Sequence, residues 1–199
     1  SNHESQSENF GFFYIEKKKS GKGDEIMAEQ QQNQTAQASA DPLERINAIL
    51  MHPDYQSWII ANNQAEIGRE FCRHGVEHAF DVARIAYALW LDSGGNPVAR
   101  DIIYAAALLH DVGKWQQYEN PEVDHAKTGA ELAAGILAEV GYHPLVAAEI
   151  TKAIANHRKP SEEGLSQVLY QADKLSRPCF LCPVAERCNW KKKNARLVY

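Results

Sequence analysis

Four residues that can bind a metal ion lie at the ends of apolar stripes with helical spacing. These residues are His78, His110, His157 and Asp173. Apolar side chains precede or follow each one at intervals of three or four residues, so each should face the interior of a helical protein. One buried histidine is usually a hydrogen-bonded core residue, but three histidines and a carboxylate facing one core need a charge partner. A divalent metal ion, which binds neutral imidazole and carboxylate, explains the pattern.

The densest part of this pattern is the segment 108–114, which reads Leu-Leu-His-Asp-Val-Gly-Lys. The adjacent His110 and Asp111, at the end of a predicted helix, can both turn towards one ion. Gly113 then lets the chain leave the helix. Lys114 lies just beyond, where its ammonium group can hold an anionic group of a substrate. The segment therefore predicts a metal site with an anion-binding side chain beside it.

Helix signals predict that these residues belong to an all-α fold. The predicted helices lie near residues 42–51, 54–67, 75–91, 97–110, 124–140, 144–157 and 165–175. Asp41 and Asp124 are predicted N-caps, and a proline follows Asn96 where the fourth helix should begin. Gly141 is predicted to end the fifth helix. No segment alternates polar and apolar residues over the length of a strand, so no sheet is expected.

Three segments of the chain resemble the HD superfamily of metal-dependent phosphohydrolases. They are residues 78–86 (His-Ala-Phe-Asp-Val-Ala-Arg-Ile-Ala), residues 110–114 (His-Asp-Val-Gly-Lys) and residues 169–174 (Leu-Tyr-Gln-Ala-Asp-Lys). The resemblance covers about residues 75 to 175. It implies an HD-domain helical bundle in which the core metal ligands are His78, His110, Asp111 and Asp173.

Two further histidines make the chain similar to the binuclear branch of this superfamily. His125 opens the fifth predicted helix and His157 closes the sixth, and the order of ligands is similar to that of bacterial enzymes that cleave diadenosine tetraphosphate. The resemblance implies two ions bridged by Asp111. The first would be held by His78, His110 and Asp173, and the second by His125 and His157. Histidine and carboxylate ligands suit iron or manganese, and zinc is a further candidate.

The chemistry implied by the resemblance is hydrolysis of a phosphate ester. Two such ions would lower the pKa of a water that attacks phosphorus, and they would offset charge on the phosphoryl oxygens. The expected substrate is a nucleotide, a dinucleotide polyphosphate or another small phosphate ester. Asp111 would lie at the catalytic centre, and Lys114 and Arg158 would hold the phosphates, with Lys174 a weaker candidate. Alternatively, these three cations are solvated charges at helix ends, favoured by the helix dipole.

Two other functions fit the same residues. The order of ligands also resembles that of the binuclear iron oxygenases, such as myo-inositol oxygenase. The presence of Lys114 does not distinguish an oxygenase from a hydrolase. A measurement of oxygen uptake would distinguish them. The second alternative is a non-catalytic module that senses a nucleotide or a redox state. A binding domain has no need of an acidified water, so the intact ligand set favours an enzyme. The sequence names neither the substrate nor the oligomeric state.

Three of the four cysteines lie within ten residues, in a C-x2-C-x5-C pattern. The first two of these three lie between two prolines, and the third follows the second proline. The four are Cys72, Cys179, Cys182 and Cys188. Cys72 precedes His78 by six residues, and Cys179 follows Asp173 by six. If the helices that carry His78 and Asp173 are antiparallel, each offset of six residues spans about 9 Å towards the same end of the helix pair. We therefore predict a closed four-cysteine site, holding structural zinc or a [4Fe–4S] cluster; plain thiols are the alternative.

Composition and charge exclude several classes of protein. Hydrophobic residues make up 44% of the 199 residues and charged residues 24%, as in ordinary globular proteins. The longest run without strongly polar residues, 102–109, is too short to cross a bilayer. The net charge of −5 does not favour binding along a nucleic-acid backbone. No signal peptide precedes the cysteines, so reduced thiols and a cytoplasmic location are expected.

The composition along the chain predicts three segments. Residues 1–40 bury too little apolar surface to fold and are expected to be a disordered tail or a non-native extension, with Met27 as the natural start. Residues 41–178 are expected to form the HD domain. Residues 179–199 would comprise the cysteine loop and a basic tail whose lysines are solvated. The expected partner is a small phosphorylated molecule.

Overall fold

The structure, a computed structural model, describes residues 42–188, and these residues form a bundle of α-helices. The predicted tail of residues 1–40, the proposed cap Asp41 and the basic residues 190–199 lie outside the described residues. No residue in the described range belongs to a β-strand, which confirms the predicted all-α class. Within the same range, no helix has the length and apolar character needed to cross a membrane.

Eight α-helices make up the described part of the chain. They are α1 (Pro42–Met51), α2 (Pro53–Ala65), α3 (Val76–Asp92), α4 (Arg100–Leu109), α5 (Lys114–Glu119), α6 (His125–Glu139), α7 (Pro144–Asn156) and α8 (Gly164–Leu175). Three short 3₁₀ turns accompany them, at Pro97–Ala99, Cys179–Leu181 and Ala185–Arg187. Helix α5 was not predicted, because its six residues form a short polar turn without an apolar stripe.

Helix α4 is the centre of the bundle. It packs against α1, α3, α6, α7 and α8. Ile103 and residues 105–109 of this helix are buried, and three of them are alanines that let neighbouring helices approach closely. Because α4 ends at Leu109, His110 and Asp111 leave the helix in the middle of the core.

A buried ion pair attaches α1 to this central helix. Nη2 and Nε of Arg45 lie 2.6 Å and 2.9 Å from the same carboxylate oxygen, Oδ2 of Asp101. The Asp101 side chain is only 4% exposed. The hydroxyl group of Tyr142 donates to the backbone carbonyl of Asp101 at 3.1 Å. A buried carboxylate is thus provided with a charged partner, as its desolvation requires.

The helix ends follow local capping signals. The carboxylate of Asp124 accepts a hydrogen bond from the backbone amide of Ala126 at 3.2 Å, at the start of α6. His52 and His143 cap α2 and α7 through their ring nitrogens, and a proline follows each of them at the first helical position. Gly141 follows the end of α6 with a φ of +80°, a conformation that favours glycine.

Candidate metal centre

Asp111 lies between two pairs of histidine rings, and each of its carboxylate oxygens faces one pair. Oδ2 lies 3.0 Å from Nε2 of His110 and 3.7 Å from Nε2 of His78. Oδ1 lies 3.2 Å from Nε2 of His125 and 3.5 Å from Nε2 of His157. In each of the two groups formed by Asp111 and one pair, the candidate ligand atoms all lie within 4.8 Å of one another. One carboxylate thus joins histidines from four segments of the chain.

Asp173 lies beside the first pair. Its Oδ1 lies 3.4 Å from Nε2 of His78 and accepts a hydrogen bond from Nη2 of Arg177 at 2.7 Å. The ammonium group of Lys174 pairs with the other oxygen, Oδ2. Asp173 is buried at the end of α8. The structure therefore brings all six residues predicted to bind metal into one buried cluster.

The second ring nitrogen of each of these histidines, Nδ1, has a hydrogen-bonding neighbour of its own. Nδ1 of His78 lies 3.3 Å from Oγ of Ser176, and Nδ1 of His110 lies 2.7 Å from the Ala107 carbonyl oxygen. Nδ1 of His125 lies 2.7 Å from Oε1 of Gln117, and Nδ1 of His157 lies 2.7 Å from the Ile154 carbonyl oxygen. The carbonyl oxygens beside His110, His125 and His157 can only accept, so the proton of each of these neutral rings is assigned to Nδ1. The Ser176 hydroxyl already donates to the Asp173 carbonyl at 2.9 Å, so it accepts from Nδ1 of His78. The nitrogen left to bind a metal is then Nε2, which is the atom that faces Asp111.

A divalent cation fits this set of atoms. An Nε2 atom without a proton presents a lone pair, and the carboxylate oxygen opposite presents only lone pairs. Nε2 of His78 and Nε2 of His110 are buried and have no hydrogen-bond partner among residues 42–188. A cation between the rings and the carboxylates would bond to both and remove the cost of burying them unpaired.

The protonation states also suit a cation. Burial alone would raise the pKa of Asp111, but the charge of the nearby His110 ring and other neighbours holds it well below the ordinary value. The pKa of Asp173 is also low, because the neighbouring His78 ring and the positive charges of Arg177 and Lys174 outweigh burial. Burial lowers the pKa of the rings of His78 and His125, whereas the adjacent Asp111 carboxylate outweighs burial and raises the pKa of the His110 ring. Ionised carboxylates and neutral imidazoles are the forms that bind metal.

Close packing holds the turn that carries Asp111. Asn62 of α2 is fully buried; its Nδ2 donates to the backbone carbonyl of Asp111 at 2.9 Å and its Oδ1 accepts from the amide of Trp115 at 2.7 Å. Gly113 has a φ of −87°, which any residue can adopt. A Cβ atom there would lie 2.8 Å from the backbone nitrogen of Gly129 on α6. Space rather than backbone freedom therefore explains this glycine.

A cavity of about 380 Å³ opens onto the centre. Asp111, His125, His157 and Asp173 contribute to its walls. Six cationic side chains also line it, against two carboxylates. They are Arg69, Lys114, Arg158, Lys174, Arg177 and Arg187. Arg69, Arg158 and Arg187 also pair with Glu66, Asp124 and Glu70, so the excess of positive charge is small. It favours an anionic ligand even so, since the whole chain carries a net charge of −5.

The three cations predicted to hold phosphate occupy different positions in this cavity. Nζ of Lys114 lies 3.4 Å from Nδ1 of His125, and burial lowers the pKa of this lysine. Lys114 is also the first residue of α5, where the helix dipole disfavours a positive charge. Arg158 is half exposed and lies 3.6 Å from a carboxylate oxygen of Asp124, and Lys174 is paired with Asp173. The position of Lys114 does not favour its explanation as a solvated charge at a helix end.

Sequence reasoning missed a second buried cluster beside the centre. Glu66 is 1% exposed, and its Oε1 lies 2.5 Å from Nδ1 of His74 and accepts a hydrogen bond from the Tyr118 hydroxyl at 2.6 Å. The ring of His74 meets that of His78 edge-on, with centroids 5.6 Å apart, and lines the cavity. The spacing of four between these histidines was the one available signal, and nothing local pointed to Glu66.

The four cysteines lie together on one side of the centre, all as free thiols. Cys72, Cys179 and Cys188 line the cavity already described, and Cys72, Cys179 and Cys182 line a neighbouring cavity of about 360 Å³. No three of the sulfur atoms lie within 4.8 Å of one another in residues 42–188, unlike the ligand atoms of the histidine cluster. The structure thus brings Cys72 to the C-terminal cysteine loop, with the sulfur atoms in an open arrangement.

The family of the chain follows from a comparison with known protein families. The HD domain model matches residues 75–178, from the loop before α3 to the loop after α8. The chain belongs to the HD domain family. All six residues of the metal cluster lie inside the matched region, whereas the four cysteines lie outside it.

Three similar proteins accompany this match. An uncharacterised protein of Clostridium beijerinckii (strain ATCC 51743 / NCIMB 8052) is 38% identical over 161 residues, which cover 79% of this chain and all of that protein. A Bacillus subtilis (strain 168) protein provisionally named as a phosphohydrolase, YueE, is 34% identical over 52% of this chain and 66% of its own length. A crystal structure of a predicted HD superfamily hydrolase from an uncultured Thermotogales bacterium is 30% identical, with a TM-score of 0.48, over 63% of this chain and 71% of that one.

Proposed function

We propose that this HD-family protein is a metal-dependent phosphohydrolase that cleaves a nucleotide, a dinucleotide polyphosphate or another small phosphate ester. The observation that carries the proposal is the position of Asp111, whose two oxygens face two histidine pairs at the wall of a cavity rich in cations. The family membership and the name of the Bacillus subtilis relative support the same reaction class.

In this proposal the cluster holds two divalent ions. His78, His110 and Asp173 would hold the first ion, and His125 and His157 the second. Asp111 would contribute to both, since one of its oxygens faces each histidine pair. When bound, the two ions supply a water of lowered pKa and positive charge against the phosphoryl oxygens. Nitrogen and carboxylate ligands without thiolate favour iron or manganese, with zinc as a third candidate.

The chain's own residues orient the substrate around this centre. Lys114 is half-buried beside His125, so its ammonium group can donate to a phosphoryl oxygen where less water competes than at the surface. Arg158, at the exposed part of the cavity, contributes a planar pair of donors for a phosphate farther out. Lys174 pairs with Asp173 and is assigned the weaker role of keeping that carboxylate in place.

The size of the cavity supports a small substrate. A volume of about 380 Å³ lies in the lower part of the range of pockets that bind small molecules, roughly 300–1,000 Å³. A nucleotide-sized ester fits this range, and its phosphates match the cationic walls. The net charge of −5 does not favour a nucleic-acid backbone as the ligand.

Phosphate release tests the proposal. The full chain, purified without oxygen and loaded with Mn²⁺ or Fe²⁺, would be incubated with a panel of nucleoside mono-, di- and triphosphates and dinucleoside polyphosphates. The Asp111→Asn variant keeps the shape of the side chain but removes the charge that joins the two ions. Glu149→Gln, at a residue that is 66% exposed on α7, is the matched control.

We expect the wild type and the Glu149→Gln variant to hydrolyse at least one member of the panel, and the Asp111→Asn variant to lose turnover. Undiminished hydrolysis by a folded Asp111→Asn variant would contradict the proposed centre. A metal-loaded wild type that is inert across the panel but consumes oxygen would contradict the hydrolase and favour oxygenase chemistry.

A further inference from the structure

We propose that Cys72, Cys179, Cys182 and Cys188 form a thiolate metal site that fastens the C-terminal segment 176–188 to the loop before α3. This site is separate from the proposed catalytic centre, and the matched HD region includes none of its residues. Its occupant is a soft metal centre, either one Zn²⁺ or a [4Fe–4S] cluster, since both are held by four cysteine thiolates.

The local backbone prepares one pair of thiolates. Residues Cys179–Leu181 form a 3₁₀ turn, closed by a hydrogen bond of 3.3 Å from the amide of Cys182 to the carbonyl of Cys179. In such a turn the side chains at positions i and i+3 lie on the same side. The C-x2-C spacing therefore places Cys179 and Cys182 as neighbours on one face.

A second turn brings the remaining cysteines towards this pair. Residues Ala185–Arg187 form another 3₁₀ turn, after which the amide of Cys188 donates to the carbonyl of Ala185 at 3.2 Å. Arg187 in this turn forms an ion pair with Glu70, two residues before Cys72. Cys72 and Cys188 consequently line the same cavity, although most of the domain lies between them in sequence.

The charges around the cysteines suit a cluster of thiolates. Four thiolates around Zn²⁺ carry a net charge of about −2. Arg69, Arg177 and Arg187 share a cavity wall with Cys72 and Cys179 and can offset that charge.

The segment itself needs a fastening of this kind. None of residues 176–188 is buried, and the last member of the hydrophobic core is Ala172 of α8. The large apolar side chains of the segment, Phe180 and Leu181, are 63% and 75% exposed. A short segment without a core of its own commonly takes its stability from a metal or a cross-link.

The open spacing of the sulfur atoms bears on the choice of metal. A single Zn²⁺ with bonds of 2.3 Å draws its four sulfur atoms to within about 3.8 Å of one another. No three of these sulfur atoms lie within 4.8 Å of one another in the described residues, so binding zinc requires the two loops to close. A [4Fe–4S] cluster holds its thiolates farther apart and requires less movement.

Metal analysis of the anaerobically purified full chain tests the proposal. Zinc, iron and acid-labile sulfide would be measured in the wild type and in Cys182→Ser. Leu181→Ser, next to it in the same turn, is the control that adds a serine without removing a thiol. Asp111→Asn separates the two sites, because it changes the histidine cluster alone. None of these readouts uses phosphate release, so the result stands apart from the proposed hydrolysis.

We expect the wild type, Leu181→Ser and Asp111→Asn to carry either one zinc or about four iron and four sulfide per chain at this site, and Cys182→Ser to lose at least half of it. Broad absorbance near 400 nm would mark the cluster. Because the chain has only four cysteines, thiol titration gives a second readout: fewer than four should react until the metal is removed. The proposal would be overturned if all four thiols react immediately, no sulfide is found, and any zinc in the wild type is absent from Asp111→Asn.

Discussion

Nε2 of His78 lies 3.4 Å from Oδ1 of Asp173, and this contact joins the beginning of α3 to the end of α8. These two helices open and close the region matched by the HD domain model. The same contact explains why Cys72, before α3, and Cys179, after α8, line one cavity. One pairing of helix ends therefore supports both the histidine cluster and the cysteine site.

Replacing Gln117 by leucine should weaken metal binding without removing a ligand. Oε1 of Gln117 accepts the hydrogen bond from Nδ1 of His125 and so holds the opposite nitrogen towards Asp111. Loss of such an outer contact commonly costs metal affinity, and we expect the affinity for Mn²⁺ to fall by about 10–100-fold. Calorimetric titration measures this, with Gln116→Leu as the control. Equal affinity in the two variants would contradict the assignment of His125 as a ligand.

Lys114→Met should weaken catalysis more than Arg158→Ala. A hydrogen bond to a charged group contributes roughly 1.5–3 kcal/mol, which corresponds to a loss of about 10–150-fold in kcat/KM for Lys114→Met. The loss should be smaller for Arg158→Ala, because that side chain is half exposed. Steady-state kinetics on the best substrate of the panel measures both. Lys152→Met, at an exposed lysine of α7, is the control. If Lys114→Met had the same kcat/KM as Lys152→Met, the role of Lys114 in holding phosphate would be refuted.

Arg45→Met should destabilise the fold severely. It would leave the Asp101 carboxylate, 4% exposed, without its ion-pair partner. Removing one member of a buried pair costs about 3–5 kcal/mol in the free energy of unfolding. Arg84→Met is the matched control, since Arg84 forms an exposed pair with Asp81 whose loss should cost at most about 1 kcal/mol. Urea unfolding compares the two, and similar free energies would contradict the account of the α1–α4 attachment.

Glu66 should make the stability of the protein depend on acid pH. Burial alone would raise its pKa, but hydrogen bonds with His74 and Tyr118 outweigh burial and lower the pKa below its ordinary value of 4.5. The stabilisation is therefore present above pH 4.5 and is lost as the pH falls through the lower pKa of the folded state.

The comparison of wild type with Glu66→Gln isolates this effect, because the other carboxylates titrate in both proteins. The difference in their free energies of unfolding should shrink as the pH falls below 4.5, towards the lower pKa of Glu66 in the folded state. Chemical unfolding at several pH values measures the difference. A constant difference would show that the Glu66 carboxylate is not stabilised by its neighbours.

The parts of the fold that local chemistry specifies could be predicted from the sequence. Asp124 caps a helix through its own side chain, and prolines mark the first turns of α2 and α7, so seven helices were placed within a few residues of their observed ends. Helical spacing predicts four of the six candidate metal ligands, because it shows which face of a helix carries a residue such as His78 or Asp173. Asp111 is predicted from its place beside His110, and His125 from the resemblance to the binuclear branch.

Features that depend on distant pairings could not be predicted. Asn62 holds the turn of Asp111 through hydrogen bonds to residues about fifty positions away, and no local pattern distinguishes it from a surface asparagine. Glu66 is similar, since a carboxylate at the end of a helix normally faces solvent. Helix α5 is held by its packing against α2 and α6 rather than by an apolar stripe, so its six residues resemble a loop.

The most direct test of the central claim is an anaerobic titration of the metal-free protein with Mn²⁺, followed at each step by electron paramagnetic resonance and by phosphate release from the best substrate. We predict that two ions bind per chain, that their spins are coupled through the Asp111 bridge, and that hydrolysis rises with the second ion. Full hydrolysis with one ion per chain, or two uncoupled ions without phosphate release, would contradict the account.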